Sequence, residues 1–118
     1  MMKQEVAEKW VAALRSGEYV QWQGVLRTWT DEFCALGVLC DVAVKEGVAE
    51  WTRGYDSFVV ERAYTSCVPP TIQAWAGMRS ARGDFGNGNR DYLAWLNDQY
   101  YLDFNAVARV IENEWITL

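Results

Sequence analysis

The 118-residue sequence contains no histidine. That removes the side chain used most often for proton transfer near neutral pH, and the commonest metal ligand. Cysteine is scarce: Cys34, Cys40 and Cys67 are an odd number without Cys-x-x-Cys spacing, so neither a disulfide framework nor a zinc site is expected. Lysine occurs three times against eight arginines, and the net charge is -5. An acidic chain is a poor match for duplex nucleic acid, where neutralised phosphates supply most of the affinity. No uninterrupted apolar run approaches a membrane span, and Met1 to Lys9 carries charges where a signal peptide would hold its apolar segment. The expected setting is the cytoplasm, with neither a membrane nor a duplex nucleic acid as partner.

What the chain does have is a globular balance, 51% apolar and 23% charged residues, and enough length for one core. Residues 1–118 therefore read as a single domain. Seven Trp, six Tyr and four Phe are a heavy load for one small core. Aromatic side chains dominate interfaces as well as interiors, so part of this surplus is expected to face a ligand or a partner.

Val6, Trp10, Ala13 and Leu14 recur at helical spacing up to Arg15, and Ser16-Gly17 supplies a stop. Between Glu18 and Phe33 the residues Tyr19, Val20, Trp22, Val25, Leu26 and Trp29 favour strands, with a turn at Thr30-Asp31-Glu32; a short hairpin or two edge strands is expected. Leu36, Leu39, Cys40 and Ala43 predict a helix to about Glu46, closed by Gly47. Gly37 inside that helix costs roughly 1 kcal/mol against alanine, which predicts close approach of another backbone or ring. Tyr55, Phe58, Val59, Val60 and Tyr64 predict one or two further strands. Pro69-Pro70 opens a short helix stopped by Gly77. Met78 to Arg90 reads as a long loop, Tyr92 to Leu96 as a short element, and Asp103 as the cap of a last helix with Phe104, Val107, Ala108, Ile111 and Trp115 inside. The sum is an α+β domain, a small antiparallel sheet packed with two or three helices.

Phe33-Cys34-Ala35-Leu36-Gly37-Val38-Leu39-Cys40-Asp41, preceded by Trp10, Ala13 to Gly17 and Tyr19, resembles a group of small phage and prophage proteins of unassigned function. Pro70, Trp75, Gly77, Leu93, Leu96-Asn97-Asp98, Phe104, Ala108 and Ile111 follow in the order such proteins show. The chain departs from the group at Ala35, where a second cysteine is usual, at Trp22, and at Tyr100 and Tyr101, where a glycine often follows Leu-Asn-Asp. The resemblance implies a phage context, in which small proteins of this kind act as anti-defence factors in the host cytoplasm.

No catalytic constellation, metal set or cofactor motif stands out, and a non-enzymatic protein is expected. The segment from Arg79 to Arg90 lacks the spacing of an ATPase loop or a dinucleotide fold. Its glycines and the guanidinium groups of Arg79, Arg82 and Arg90 suit an anion, since backbone N–H groups and arginine forks both bind phosphate oxygens. Trp22, Trp29, Tyr100 and Tyr101 lie off the helical stripes and are the candidates for stacking on a base, worth about 1–3 kcal/mol per base. Taken with what the phage-like resemblance implies, these residues lead to the expectation of a sponge, a homodimer, for a phosphorylated host immune-signalling nucleotide, cyclic or NAD-derived. The alternative is an acidic, aromatic-rich inhibitor that covers a host defence protein.

Overall fold

The computed structural model describes residues 1–86 and 91–118. Helix α1 (Gln4–Arg15) buries Val6, Ala7, Trp10, Val11 and Leu14 as one stripe. A second stripe, Phe104, Val107, Ala108 and Ile111, runs along α5 (Phe104–Glu114) and packs on the first. Asp103 caps α5, its carboxylate accepting the Ala106 N–H at 2.8 Å.

Helix α2 (Ala35–Lys45) is apolar almost all round, with Ala35 to Cys40, Val42 and Ala43 buried. Such a helix can only be central, and α1 and α4 (Leu93–Asp98) pack against it. Burying each of Leu36 and Leu39 contributes about 2 kcal/mol. The indole of Trp10 reaches across from α1 and donates to the Ala35 carbonyl at 2.9 Å. Cys34 is the cap of α2: its sulfur accepts the Gly37 N–H at 3.3 Å.

The chain between α1 and α2 does not close as a hairpin. Strand β1 (Val20–Gln21) runs parallel to β2 (Glu32–Phe33), with Val20 opposite Glu32 and Gln21 opposite Phe33. The intervening segment doubles back, and Arg27 bridges both Phe33 and Phe58 in the antiparallel sense. Strands β3 (Thr52–Arg53) and β4 (Phe58–Val59) form the expected antiparallel pair, Arg53 opposite Phe58. The α+β class holds, with five helices among the described residues in place of two or three, and with one of the two strand pairs parallel. The extra helices are short: α3 (Pro70–Ala76) and α4. Gly77 ends α3 at φ 74°, as its sequence position predicts.

The described part of the expected long loop is fastened. Val68 N–H donates to the Ala81 carbonyl at 2.7 Å, and the carbonyls of Arg82 and Gly83 accept the N–H groups of Ala94 and Leu93 at the start of α4. Among the described residues no helix is long and apolar enough to cross a membrane.

Candidate functional site

The expected site residues Arg79, Arg82, Trp29 and Tyr100 each have contacts of their own within the chain. Arg79 donates its side-chain Nε–H to the Thr117 carbonyl and its backbone N–H to that of Leu118, fastening the last residues of the chain to the segment after α3. Arg82 pairs with Asp84 at 3.2 Å and lies over the Tyr92 ring at 4.1 Å. Arg90 lies outside the described residues. The N–H groups of Asp84 and Phe85 donate to the Ser80 hydroxyl and the Asp91 carbonyl, so these two serve the loop's own closure.

Trp22, Tyr100 and Tyr101 belong to two segments joined by a hydrogen-bonded hub. Buried Asn97 donates to the Trp22 carbonyl at 2.8 Å and to Asp98 at 2.7 Å, while its oxygen accepts from Gln21 at 2.8 Å and from the Ala35 N–H at 3.1 Å. Asp98 in turn accepts the Gly24 N–H at 3.0 Å. Asn97 therefore uses both its amide groups on the chain, fixing β1 against the starts of α2 and the end of α4. Trp22, Tyr100 and Tyr101 remain exposed at 47%, 63% and 70%, and Tyr100 packs on Trp95.

Trp29 is the expected residue that leads to a groove. Its indole, 43% exposed, lies 4.1 Å from the guanidinium carbon of Arg53. Arg53 borders a groove of about 680 Å³ around the β3–β4 turn, lined also by Thr52, Tyr55, Asp56, Arg62 and Thr65. The pleat turns Thr52 and Val59 to one side of the pair and Arg53 with Phe58 to the other. Arg53 lines the groove beside Trp29, and Arg62 lines it too. Neither Arg53 nor Arg62 has a carboxylate partner among the described residues. Gly54 is required by the turn: a Cβ there would come within 2.6 Å of the Ser57 carbonyl oxygen.

Against Phe58, the strand partner of Arg53, stands a caged cation. The guanidinium carbon of Arg27 lies 4.5 Å from the Phe58 ring, 5.3 Å from Trp51 and 5.4 Å from Phe33, and its nitrogens hold Asp31 at 2.6 and 2.9 Å. Cation–π contacts of this kind contribute about 0.5–2 kcal/mol each. They hold the 27–31 turn, in which Asp31 takes φ 62°, and hence the indole of Trp29. Trp51 is held in turn by Asp41, which accepts its indole N–H at 2.9 Å and the Tyr19 hydroxyl at 2.5 Å, with Lys45 at 3.4 Å. Burial pushes the Asp41 carboxyl up, but the hydrogen bonds from Tyr19 and Trp51 and the charge of Lys45 outweigh it and hold it below its ordinary value.

The thiols offer little reactivity. Burial pushes Cys34 up to about 12 and Cys40 well above its ordinary value, and raises Cys67 as well. Among the described residues no group of three or more cysteine, aspartate or glutamate side chains is arranged to hold a metal ion.

Sequence reasoning had one thread to the groove, Trp29, and missed Arg53 and Arg62. The available signal was the arginine bias itself, which does not say which arginines their own chain neutralises.

The family model described as a domain of unknown function (DUF8296) matches residues 2–115, and the chain belongs to that family. No curated protein and no solved structure matches the chain.

Proposed function

We propose that this member of the family is a non-enzymatic binding protein that captures a phosphorylated, ring-bearing small molecule, and that it serves as a phage-type anti-defence sponge for a host signalling nucleotide. The observation that carries this reading is the pair Arg53 and Arg62, both without an acceptor among the described residues, bordering one groove beside an exposed indole and phenol. A guanidinium forks onto phosphate oxygens, and Trp29 and the 98% exposed Tyr55 offer faces on which a base stacks. The lack of histidine and the raised thiols support binding over turnover. The cyclic and NAD-derived nucleotides expected from the sequence suit such a groove, and self-association into a dimer belongs to the same proposal.

The test is direct. Purified protein is heat-denatured and the supernatant scanned for nucleotide absorbance; in parallel, cyclic nucleotides and NAD-derived signals are titrated by calorimetry against wild type, Arg53→Ala and Arg62→Ala. The expected result is saturable binding weakened about tenfold or more by either substitution, each removing a charge-assisted hydrogen bond. No nucleotide released and none bound across that set would overturn the proposal and leave the acidic surface with Trp22, Tyr100 and Tyr101 as the basis for a host-protein inhibitor.

A further inference from the structure

Asp56 lines the same groove as Arg53 and Arg62 and is in ion-pairing distance of neither. It is exposed, in the turn between β3 and β4. For a groove that only had to hold phosphate, a carboxylate there is a defect: it repels every anion and offers no donor. Its chemistry is complementary to something else. An ionised carboxylate only accepts hydrogen bonds and a guanidinium only donates them. The groove therefore presents donors at Arg53 and Arg62 and an acceptor at Asp56, while Thr65 adds a hydroxyl that can do either.

We infer that Asp56 determines specificity: it selects ligands that carry hydroxyl or N–H donors beside their phosphates, such as nucleotides with ribose hydroxyls and base amines, and rejects bare polyphosphates. This rests on the nucleotide reading of the groove. Inorganic pyrophosphate near neutral pH offers mostly oxygen acceptors, so it meets Asp56 as a like charge with little in return. A nucleotide carries the same phosphate oxygens plus donors, and one of those donors turns the carboxylate from a repulsive neighbour into a partner. Discrimination built from one repulsive and one attractive contact at the same atom exceeds what either supplies alone.

The two roles have opposite signs, which makes them separable. Calorimetric titrations of wild type and Asp56→Asn with pyrophosphate, ADP-ribose and a cyclic dinucleotide provide the comparison, with thermal unfolding of both proteins confirming an unchanged fold. Removing the like charge is expected to tighten pyrophosphate about threefold to tenfold. Removing the charged acceptor is expected to weaken the nucleotides about tenfold. Asp56→Ala, which retains no acceptor, is expected to weaken nucleotide binding further while still tightening pyrophosphate. If Asp56→Asn tightens pyrophosphate and nucleotide alike, or changes neither, the specificity role is overturned while the capture function stands, because Arg53→Ala and Arg62→Ala still weaken nucleotide binding. If wild type binds no nucleotide at all, both fail together.

Discussion

The Leu26 carbonyl oxygen occupies the space where a side chain at position 37 would begin: a Cβ built on Gly37 would lie 1.7 Å from it and 2.6 Å from the carbonyl carbon. Leu26 cannot retreat, since it is fully buried and its N–H donates to the Thr65 carbonyl at 2.9 Å. Gly37→Ala forces backbone against backbone at the first turn of α2, so the helix-propensity gain of about 1 kcal/mol is outweighed. The expected outcome is a loss of about 3 kcal/mol or more in urea unfolding. A variant as stable as wild type would show that the two segments are not in this contact.

Asn97→Ala removes four hydrogen bonds at one buried point. It leaves the Ala35 N–H and the Trp22 carbonyl without their present partners. Unsatisfied buried groups cost about 1–3 kcal/mol each, so the expected loss is about 3 kcal/mol. Asn97→Asp retains the acceptor but not the donor and sets a carboxylate beside Asp98, so it is expected to be no better. Equilibrium unfolding of both variants measures this.

How much of this was legible beforehand differs by element. The stripes of α1 and α5, the Asp103 cap and the Gly77 stop are local patterns, decided by residues within a few positions of one another. Gly37 was legible as a point of close approach, though not which backbone makes it. The parallel pairing of β1 with β2 was not, because it depends on Arg27 inserting between Phe33 and Phe58 from opposite sides of α2 in sequence. The site was the least legible for the same reason. Arg79 finds its acceptor 38 residues away at Thr117, whereas Arg53 and Arg62 find none among the described residues. Which arginines are left over is a tertiary fact that composition cannot carry.

Acid sensitivity should centre on Asp41. Its folded-state carboxyl lies below its ordinary value, so its contribution to stability is complete above the unfolded value, near pH 4, and is lost as pH falls through the folded one. Glu32, Asp84 and Glu112 are shifted in the same direction and add to the slope. Urea midpoints measured from pH 6 down to pH 2.5 should therefore fall, and the fall should be shallower in Asp41→Asn. An identical slope in the variant would remove Asp41 from the account. Trp51 fluorescence should change with the same variant, since its indole N–H donates to this carboxylate.

The three thiols should differ in access. Cys34 and Cys40 are buried, whereas Cys67 is only partly so. Ellman's reagent at pH 7.5 is expected to label at most one thiol in the native protein, slowly, and all three in denaturant. Cys67→Ser should abolish the native-state reaction and change stability by less than about 1 kcal/mol. Rapid native labelling of the remaining cysteines would contradict the burial that keeps their thiolates scarce.

Arginine substitutions should divide into two classes. Arg79→Ala removes the side-chain hydrogen bond to Thr117 and loosens the hold on the chain's last residues, so a loss of about 1 kcal/mol in urea unfolding is expected, with ligand affinity unchanged. Arg82→Ala removes an exposed, solvent-screened pair with Asp84 and should cost less. Arg62→Ala breaks no hydrogen bond or ion pair among the described residues and should leave stability within about 0.5 kcal/mol of wild type while lowering nucleotide affinity. Arg53→Ala should do the same, with a small additional loss from the contact with Trp29, about 0.5–1 kcal/mol at an exposed site. Ligand affinity, not stability, therefore separates Arg53 and Arg62 from Arg79 and Arg82. If Arg79→Ala or Arg82→Ala weakens binding as much as Arg62→Ala does, the ligand lies on the Arg79 side of the molecule and the groove at β3 and β4 is not its site.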